Sequence, residues 1–247
     1  MKKTWFLLIL SSPLIIACIS KKELPLKFVY LHNIDKTIIE HPRYFSSENF
    51  IGHKVPGYTS PHIIASEKAA RQLKLANQYF KTQGYQLVVY DGYRPQTAVD
   101  CFYDWSKNMF TENKRRKSFY YPTLSKKELS GSYIKYHRSS HSRGSTFDLT
   151  LIKYGTKPTS IEPKPRILNN GQHILYLDDQ TVDMGSSFDL FHPASKPDSK
   201  LISTKAQNNR AFLSEGMQKF GFKPYAYEWW HFQLIDEPYP NTYFDFF

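Results

Sequence analysis

Cysteine is nearly absent: Cys18 and Cys101 are the only two in 247 residues. That excludes a disulfide scaffold, and because Cys101 stands alone in the body of the chain, the fold must rest on its core. Acidic residues are also in short supply, 22 Asp and Glu against 33 Lys and Arg, for a formal charge of +11. Such an excess suits nucleic acid, an anionic membrane or wall, or plain solubility, so it selects none of them. Long apolar runs are confined to the N-terminus, and no later run could cross a bilayer. What is present, 40% hydrophobic with 16% aromatic and 22% charged residues, is an ordinary globular composition. With no internal repeat, low-complexity tract or clear linker, one domain is the simplest expectation at this length.

The N-terminus indicates a compartment. Met1-Lys2-Lys3 is a positive start, and Trp5 to Ala17 is an apolar stretch interrupted by Ser11, Ser12 and Pro13. It falls short of the ~20 residues a spanning helix needs, so residues 1–17 read as a signal peptide. Ile15-Ile16-Ala17-Cys18 resembles the bacterial lipobox, in which cleavage precedes a cysteine that is then lipidated. The expectation is an exported protein of the cell envelope, periplasmic or at the membrane surface, tethered by lipid on Cys18. The alternative is an ordinary signal peptide with Cys18 incidental. Losing Lys2 and Lys3 leaves residues 18–247 at +9.

Local patterns predict an α+β fold. Residues 66–83 read as a helix with Ser66 as N-cap, Ala69, Leu73, Ala76 and Phe80 on its buried face, and Gly84 as its stop. Tyr85 to Tyr90 reads as a buried strand. Asp91-Gly92 turns the chain, Pro95 suits a first helical position, and Ala98, Phe102, Trp105 and Met109 mark a second helix. A third helix is predicted from Thr204 to Phe220. Phe147–Ile152 and Glu228–Leu234 are strand-like. Helices alternating irregularly with strands favour α+β over a doubly wound sheet.

Two segments carry chemistry: Ser139-Ser140-His141-Ser142-Arg143-Gly144-Ser145-Thr146-Phe147-Asp148, and Glu228-Trp229-Trp230-His231. Imidazole and carboxylate suit zinc, and a catalytic site needs three protein ligands with one position open. His141, Asp148 and His231 would fill that set. On one helix, a spacing of seven would part His141 and Asp148 by ~10 Å. Gly144 instead offers a turn that leaves His141 before it and Asp148 on the strand after it, where Phe147, Leu149 and Leu151 face the core and Asp148 and Thr150 face the site. In a regular strand Glu228 and His231 point to opposite faces; either a bulge or turn brings both inward, or Glu228 lies outside the site. Pro95 forces Arg94 out of helical geometry at the mouth of a strand-to-helix turn, where an arginine can be aimed at a ligand.

The Ser-x-His-x-x-Gly-x-x-x-Asp run, the Glu-x-x-His pair and the Gly92-Tyr93-Arg94-Pro95 turn together resemble the zinc D-alanyl-D-alanine dipeptidases of the vancomycin-resistance type. The likeness takes in Arg43-Tyr44, Glu48-Asn49-Phe50, Cys101-Phe102, Met184-Gly185-Ser186-Ser187-Phe188-Asp189 and Asp236-Glu237-Pro238-Tyr239-Pro240. It implies a compact α+β zinc peptidase of residues 18–247 with a central antiparallel sheet flanked by helices. His141, Asp148 and His231 would hold one Zn2+, Glu228 would be the general base and Arg94 would bind the oxyanion. Tyr44 and Asp189 would hold the substrate's ammonium group, and Ser139 would lie on its carboxylate side.

Three features depart from that family. Thr146 stands where alanine is usual. Lys153 to Val182 is longer, and Asn169-Asn170-Gly171 suggests an inserted hairpin that could reshape the ammonium end. The resistance-type enzymes act in the cytosol, whereas an export signal points to dipeptides freed in wall turnover or to wall peptides themselves. A D,D-carboxypeptidase acting on longer peptidoglycan peptides would share every ligand but have an open ammonium end. A non-catalytic zinc module binding the wall would need neither Glu228 nor Arg94. No nucleic-acid partner is expected, because Lys114-Arg115-Arg116-Lys117 reads as a solvated face that follows a helix end.

Overall fold

In the computed structural model, residues 24–247 are described apart from Met109, Thr111 and Lys135. The signal peptide, Cys18 and the expected buried position of Met109 lie outside the described residues. The chain runs β1 (Phe28–Tyr30), α1 (Leu31–Ile34), β2 (Ile39–Glu40), β3 (Ile64–Ser66), α2 (Glu67–Thr82), β4 (Tyr85–Asp91), α3 (Gln96–Lys107), α4 (Lys114–Tyr120), α5 (Lys126–Leu129), β5 (Thr146–Lys153), β6 (Glu162–Ile167), β7 (His173–Asp178), α6 (Thr204–Gln218), β8 (Phe222–Tyr225) and β9 (Glu228–Leu234).

The predicted helices form for the predicted reasons. The Ser66 hydroxyl accepts from the Ala69 N–H and caps α2, whose Ala69, Leu73, Ala76 and Phe80 are fully buried. Pro95 is the N-cap of α3 and not its first turn, since ψ of 149° keeps it outside the helix. Thr204–Gln218 begins after a Ser203 cap. The basic cluster follows the end of α3 after a short loop, with Lys114 and Arg115 exposed, and itself makes the first turn of α4, capped by Asn113, with Lys117 paired to Glu112. Cys101 is half-buried on α3.

Five strands in the order β2-β4-β5-β9-β8 form the central sheet. All neighbours are antiparallel except β2, which runs parallel to β4. The sheet is therefore mixed, a correction to the expected antiparallel one. The segment between β2 and β4 carries β3 and α2, long enough to return the chain to the same end. α2 packs on β4, and α6 on α2, β8 and β9. Phe147, Leu149 and Leu151 of β5 are buried in one core that runs from Leu31 to Leu234, each stabilising it by ~1.5–3 kcal/mol.

The expected hairpin is present: β6 and β7 pair antiparallel from Glu162↔Asp178 to Ile167↔His173, closed through Gly171 at φ +83°. Just past β7, Asp179 meets the buried guanidinium of Arg43 and accepts from the Tyr90 hydroxyl at 2.8 Å. The hairpin is thus anchored to the segment that carries Tyr44.

Candidate active site

Sheet register builds the centre of the site. Asp148 of β5 lies opposite Asp91 of β4 on one side and opposite His231 of β9 on the other, which sets three polar side chains in a row across adjacent strands. His141 comes from the short 3-10 turn Ser140–Arg143, which ends on Gly144 in the left-handed region at φ +79°. A Cβ on Gly144 would stand 2.3 Å from the Phe28 ring. Glycine is required there twice over, by dihedral and by space, and it aims His141 back at β5.

The three inward atoms form a nearly equilateral triangle. His141 Nε2 lies 3.3 Å from His231 Nδ1 and 3.3 Å from Asp148 Oδ1, and His231 Nδ1 lies 3.2 Å from Asp148 Oδ1. Bonds of ~2.0–2.1 Å to a tetrahedral ion would separate its ligands by ~3.3–3.4 Å. The outward contacts bear on the tautomers. His141 Nδ1 donates to the Gly92 carbonyl at 2.8 Å, so its inward Nε2 presents a lone pair; His231 Nε2 meets Ser140 Oγ at 3.3 Å, and when it donates to that hydroxyl the inward Nδ1 presents one too. Two lone pairs and a buried carboxylate oxygen without a hydrogen-bond donor, Asp148 Oδ1, repel one another unless a cation lies between them. The donor set fits a metal ion.

Electrostatics agree with that placement. Burial holds His141 below the usual histidine pKa, keeping it neutral as a ligand must be. Burial works against the ionised Asp148 carboxyl; with the rings of His141 and His231 protonated toward it they would outweigh burial and hold it well below the usual carboxylate range, and with the rings neutral a cation between the three would take over that part.

Glu228 and His231 do share a side. The β8–β9 ladder shifts register between Pro224 and Tyr225, where Tyr225 pairs with Glu228, and this bulge absorbs the odd offset. Glu228 Oε2 comes 3.6 Å from His231 Nδ1. Arg94 is held by Asp91, which accepts from its Nε at 2.9 Å, and its guanidinium reaches Asp148 Oδ2 at 3.3 Å. Asp91 in turn accepts from the Tyr58 hydroxyl and the Gly92 N–H.

A cavity of about 380 Å³ is lined by all eight residues singled out in the sequence: Tyr44, Arg94, Ser139, His141, Asp148, Asp189, Glu228 and His231. Thr150, expected on the same face, is buried outside it. At one end Asp189 accepts from the Tyr44 hydroxyl at 2.8 Å and sits at φ +60°, a strained backbone of the kind functional sites retain. Burial, reinforced by Asp148, raises its carboxyl well above the ordinary range. Ser139 caps the His141 turn by accepting from the His141 N–H. The inserted hairpin lines none of the cavity and stands behind the Tyr44 end of it through the Asp179–Arg43 pair. Thr146 is buried opposite Gln233 and leaves the ligand positions undisturbed.

Sequence reasoning missed three supports. Asp91 reads in the sequence as a turn residue; its place three positions before Arg94 is the available signal. Arg210 of α6 donates to the Met184 and Ala194 carbonyls and to Ser186 Oγ, locking the loop that delivers Asp189, but nothing local in α6 marks it. Arg138 lines the cavity mouth and pairs with no carboxylate among the described residues.

A triad of candidate ligands, two of them buried, with a carboxylate and an anchored arginine beside an open cavity is the arrangement of mononuclear metal-dependent hydrolases. The family model described as D-ala-D-ala dipeptidase matches residues 25–159 and 173–247, and the chain belongs to that family of metallopeptidases. Residues 160–172, which the match leaves out, fall within the inserted hairpin. A D-alanyl-D-alanine dipeptidase of Enterococcus faecium is 36% identical over 219 residues, covering 89% of this chain and 96% of that protein. One from Streptomyces coelicolor is 33% identical over the same shares. One from Escherichia coli is 26% identical over 192 residues, covering 78% and 76%.

Proposed function

We propose that this chain hydrolyses D-alanyl-D-alanine to two D-alanines, with one Zn2+ held by His141, Asp148 and His231. The observation that carries the reading is the triangle of inward ligand atoms at 3.2–3.3 Å, set in a cavity with a buried carboxylate at one end. A bound zinc ion supplies Lewis-acid polarisation of a carbonyl and lowers the pKa of water. Glu228 takes the proton from the attacking water and returns it to the departing amine. Arg94, fixed by Asp91, faces the oxyanion that develops on the scissile carbonyl. Asp189, costly to ionise while alone, gains a matching charge when the substrate ammonium arrives, and Tyr44 orients it. Ser139 and Arg138 receive the carboxylate end.

Burial of Asp189 and Tyr44 at the ammonium end favours a dipeptide over a longer wall peptide, because rejecting longer chains requires a charge partner and no room beyond the free amine. D-alanine release should be fast from D-Ala-D-Ala and at least tenfold slower from a wall pentapeptide or N-acetylated dipeptide. Asp189→Asn should narrow that gap. Equal rates on the pentapeptide would instead identify a D,D-carboxypeptidase.

Export and lipidation at Cys18 are part of the same reading, supported by the charged start, the short apolar run and the Ala17-Cys18 junction. The substrate is then dipeptide freed during wall turnover. Recovery of the uncut chain from the cytosolic fraction would contradict this placement.

A further inference from the structure

A second cluster of ligand-type side chains lies outside the cavity, on the β2 edge of the sheet. His32 of α1, Glu40 of β2 and His62, just before β3, bring one ligand atom each within 4.8 Å of the others. The backbone sets them there. β1 and β3 pair with Tyr30 opposite Ile64, and the same register carried on by two residues puts His32 opposite His62. The Leu31 N–H donates to the Ile63 carbonyl at 2.8 Å and holds the ends together. The two imidazole centroids are 4.2 Å apart, with Tyr30 stacked on His32. Glu40 is fixed by the His32 backbone N–H, which donates to Oε1 at 3.1 Å.

Both histidines turn Nδ1 toward the other carboxylate oxygen. His62 Nδ1 reaches Glu40 Oε2 at 2.8 Å, while His32 Nδ1 stands 3.5 Å from it, buried and without a hydrogen bond. A simple Glu40–His62 ion pair accounts for the first contact and leaves the His32 nitrogen stranded. A cation among the three uses all of them, since ligands of a tetrahedral ion sit ~3.3 Å apart. Two imidazoles and one carboxylate suit zinc, copper or nickel and not the oxygen-seeking calcium or magnesium. His62 is half-exposed, so the ion has a route from solvent and water can complete its coordination.

We propose that His32, Glu40 and His62 form a second divalent transition-metal site, a structural clip distinct from the catalytic centre. The loop it would close carries Ile63 and Ile64 beneath the Arg94 turn: the Ile64 carbonyl accepts from the Tyr93 N–H at 2.7 Å, and a Cβ on Gly92 would stand 2.6 Å from Ile63. An ion bound only by the folded chain stabilises that loop through its binding free energy.

The test is a metal count on the metal-stripped full chain dialysed against micromolar free Zn2+, with thermal unfolding and kcat measured alongside. Wild type should hold two ions, His62→Ala and His32→Ala one each, and His231→Ala one. Zinc at the clip should raise Tm in wild type by more than in His62→Ala, with kcat unchanged in the latter. A count unaltered by His62→Ala, or a second ion taken up only at millimolar zinc and indifferent to His32 and His62, overturns the proposal. Failure of the catalytic reading would look different: His231→Ala would leave the count unchanged while His62→Ala still lowered it.

Discussion

Glu228→Gln is expected to keep its zinc and its fold while kcat falls by about 10²–10⁴-fold, the span general-base catalysis contributes. Glutamine has nearly the same shape, so it fills the same corner of the cavity, but it cannot accept a proton at neutral pH. The prediction follows from position: Glu228 Oε2 is 3.6 Å from His231 Nδ1, beside the ligand triangle but not at one of its corners. A water bound to a metal held there would lie within reach of the carboxylate. Because the side chain is not a ligand, metal content should stay at the wild-type level, and KM should change little because ground-state binding is untouched. Retention of most of the turnover by this variant would show that another group removes the proton.

His231→Ala should have a still larger effect through a different route. It removes one corner of the triangle and leaves His141 and Asp148, two ligands where a tightly held ion needs three. Metal content should fall at the centre and hydrolysis should drop below detection, with far-ultraviolet circular dichroism preserved. His231 is only partly buried while Trp230 and Phe232 on either side carry the packing, so the truncation leaves the core of β9 filled. Full turnover together with a retained ion would remove His231 from the ligand set.

Local patterns made the helices legible. Ser66, the Ala69-Leu73-Ala76-Phe80 face and Gly84 bracket α2 within a residue at each end, since capping and periodicity act over one to four positions. The turn at Gly144 was equally readable because φ > 0 demands such a residue. Residue chemistry raised His141, Asp148, His231, Glu228 and Arg94, and the resemblance added Tyr44, Ser139 and Asp189; all of them line the cavity. What escaped lies in long-range pairing. The parallel β2–β4 pair depends on where a long crossover returns. The bulge at Tyr225 that turns Glu228 inward has no local marker. Arg210 matters because α6 packs under the Met184–Asp189 loop, and His32 faces His62 only once β1 and β3 have paired.

The basic excess that stands out in the composition bears little on the chemistry. Lys117 pairs with Glu112, Arg143 with Glu237 and Arg166 with Asp183, so several cations already have partners on the protein. The cavity is lined by the acids Asp148, Asp189 and Glu228 beside Arg94, with Arg138 and the Glu237-paired Arg143 also on its wall, and its buried acids suit a metal and an ammonium group.

The most direct test of the account is D-alanine release from D-Ala-D-Ala by the wild-type chain before and after metal removal. Turnover should disappear on chelation and return in proportion to added Zn2+, reaching its plateau when the His141–Asp148–His231 centre is filled. Undiminished D-alanine release from the metal-free chain would contradict it.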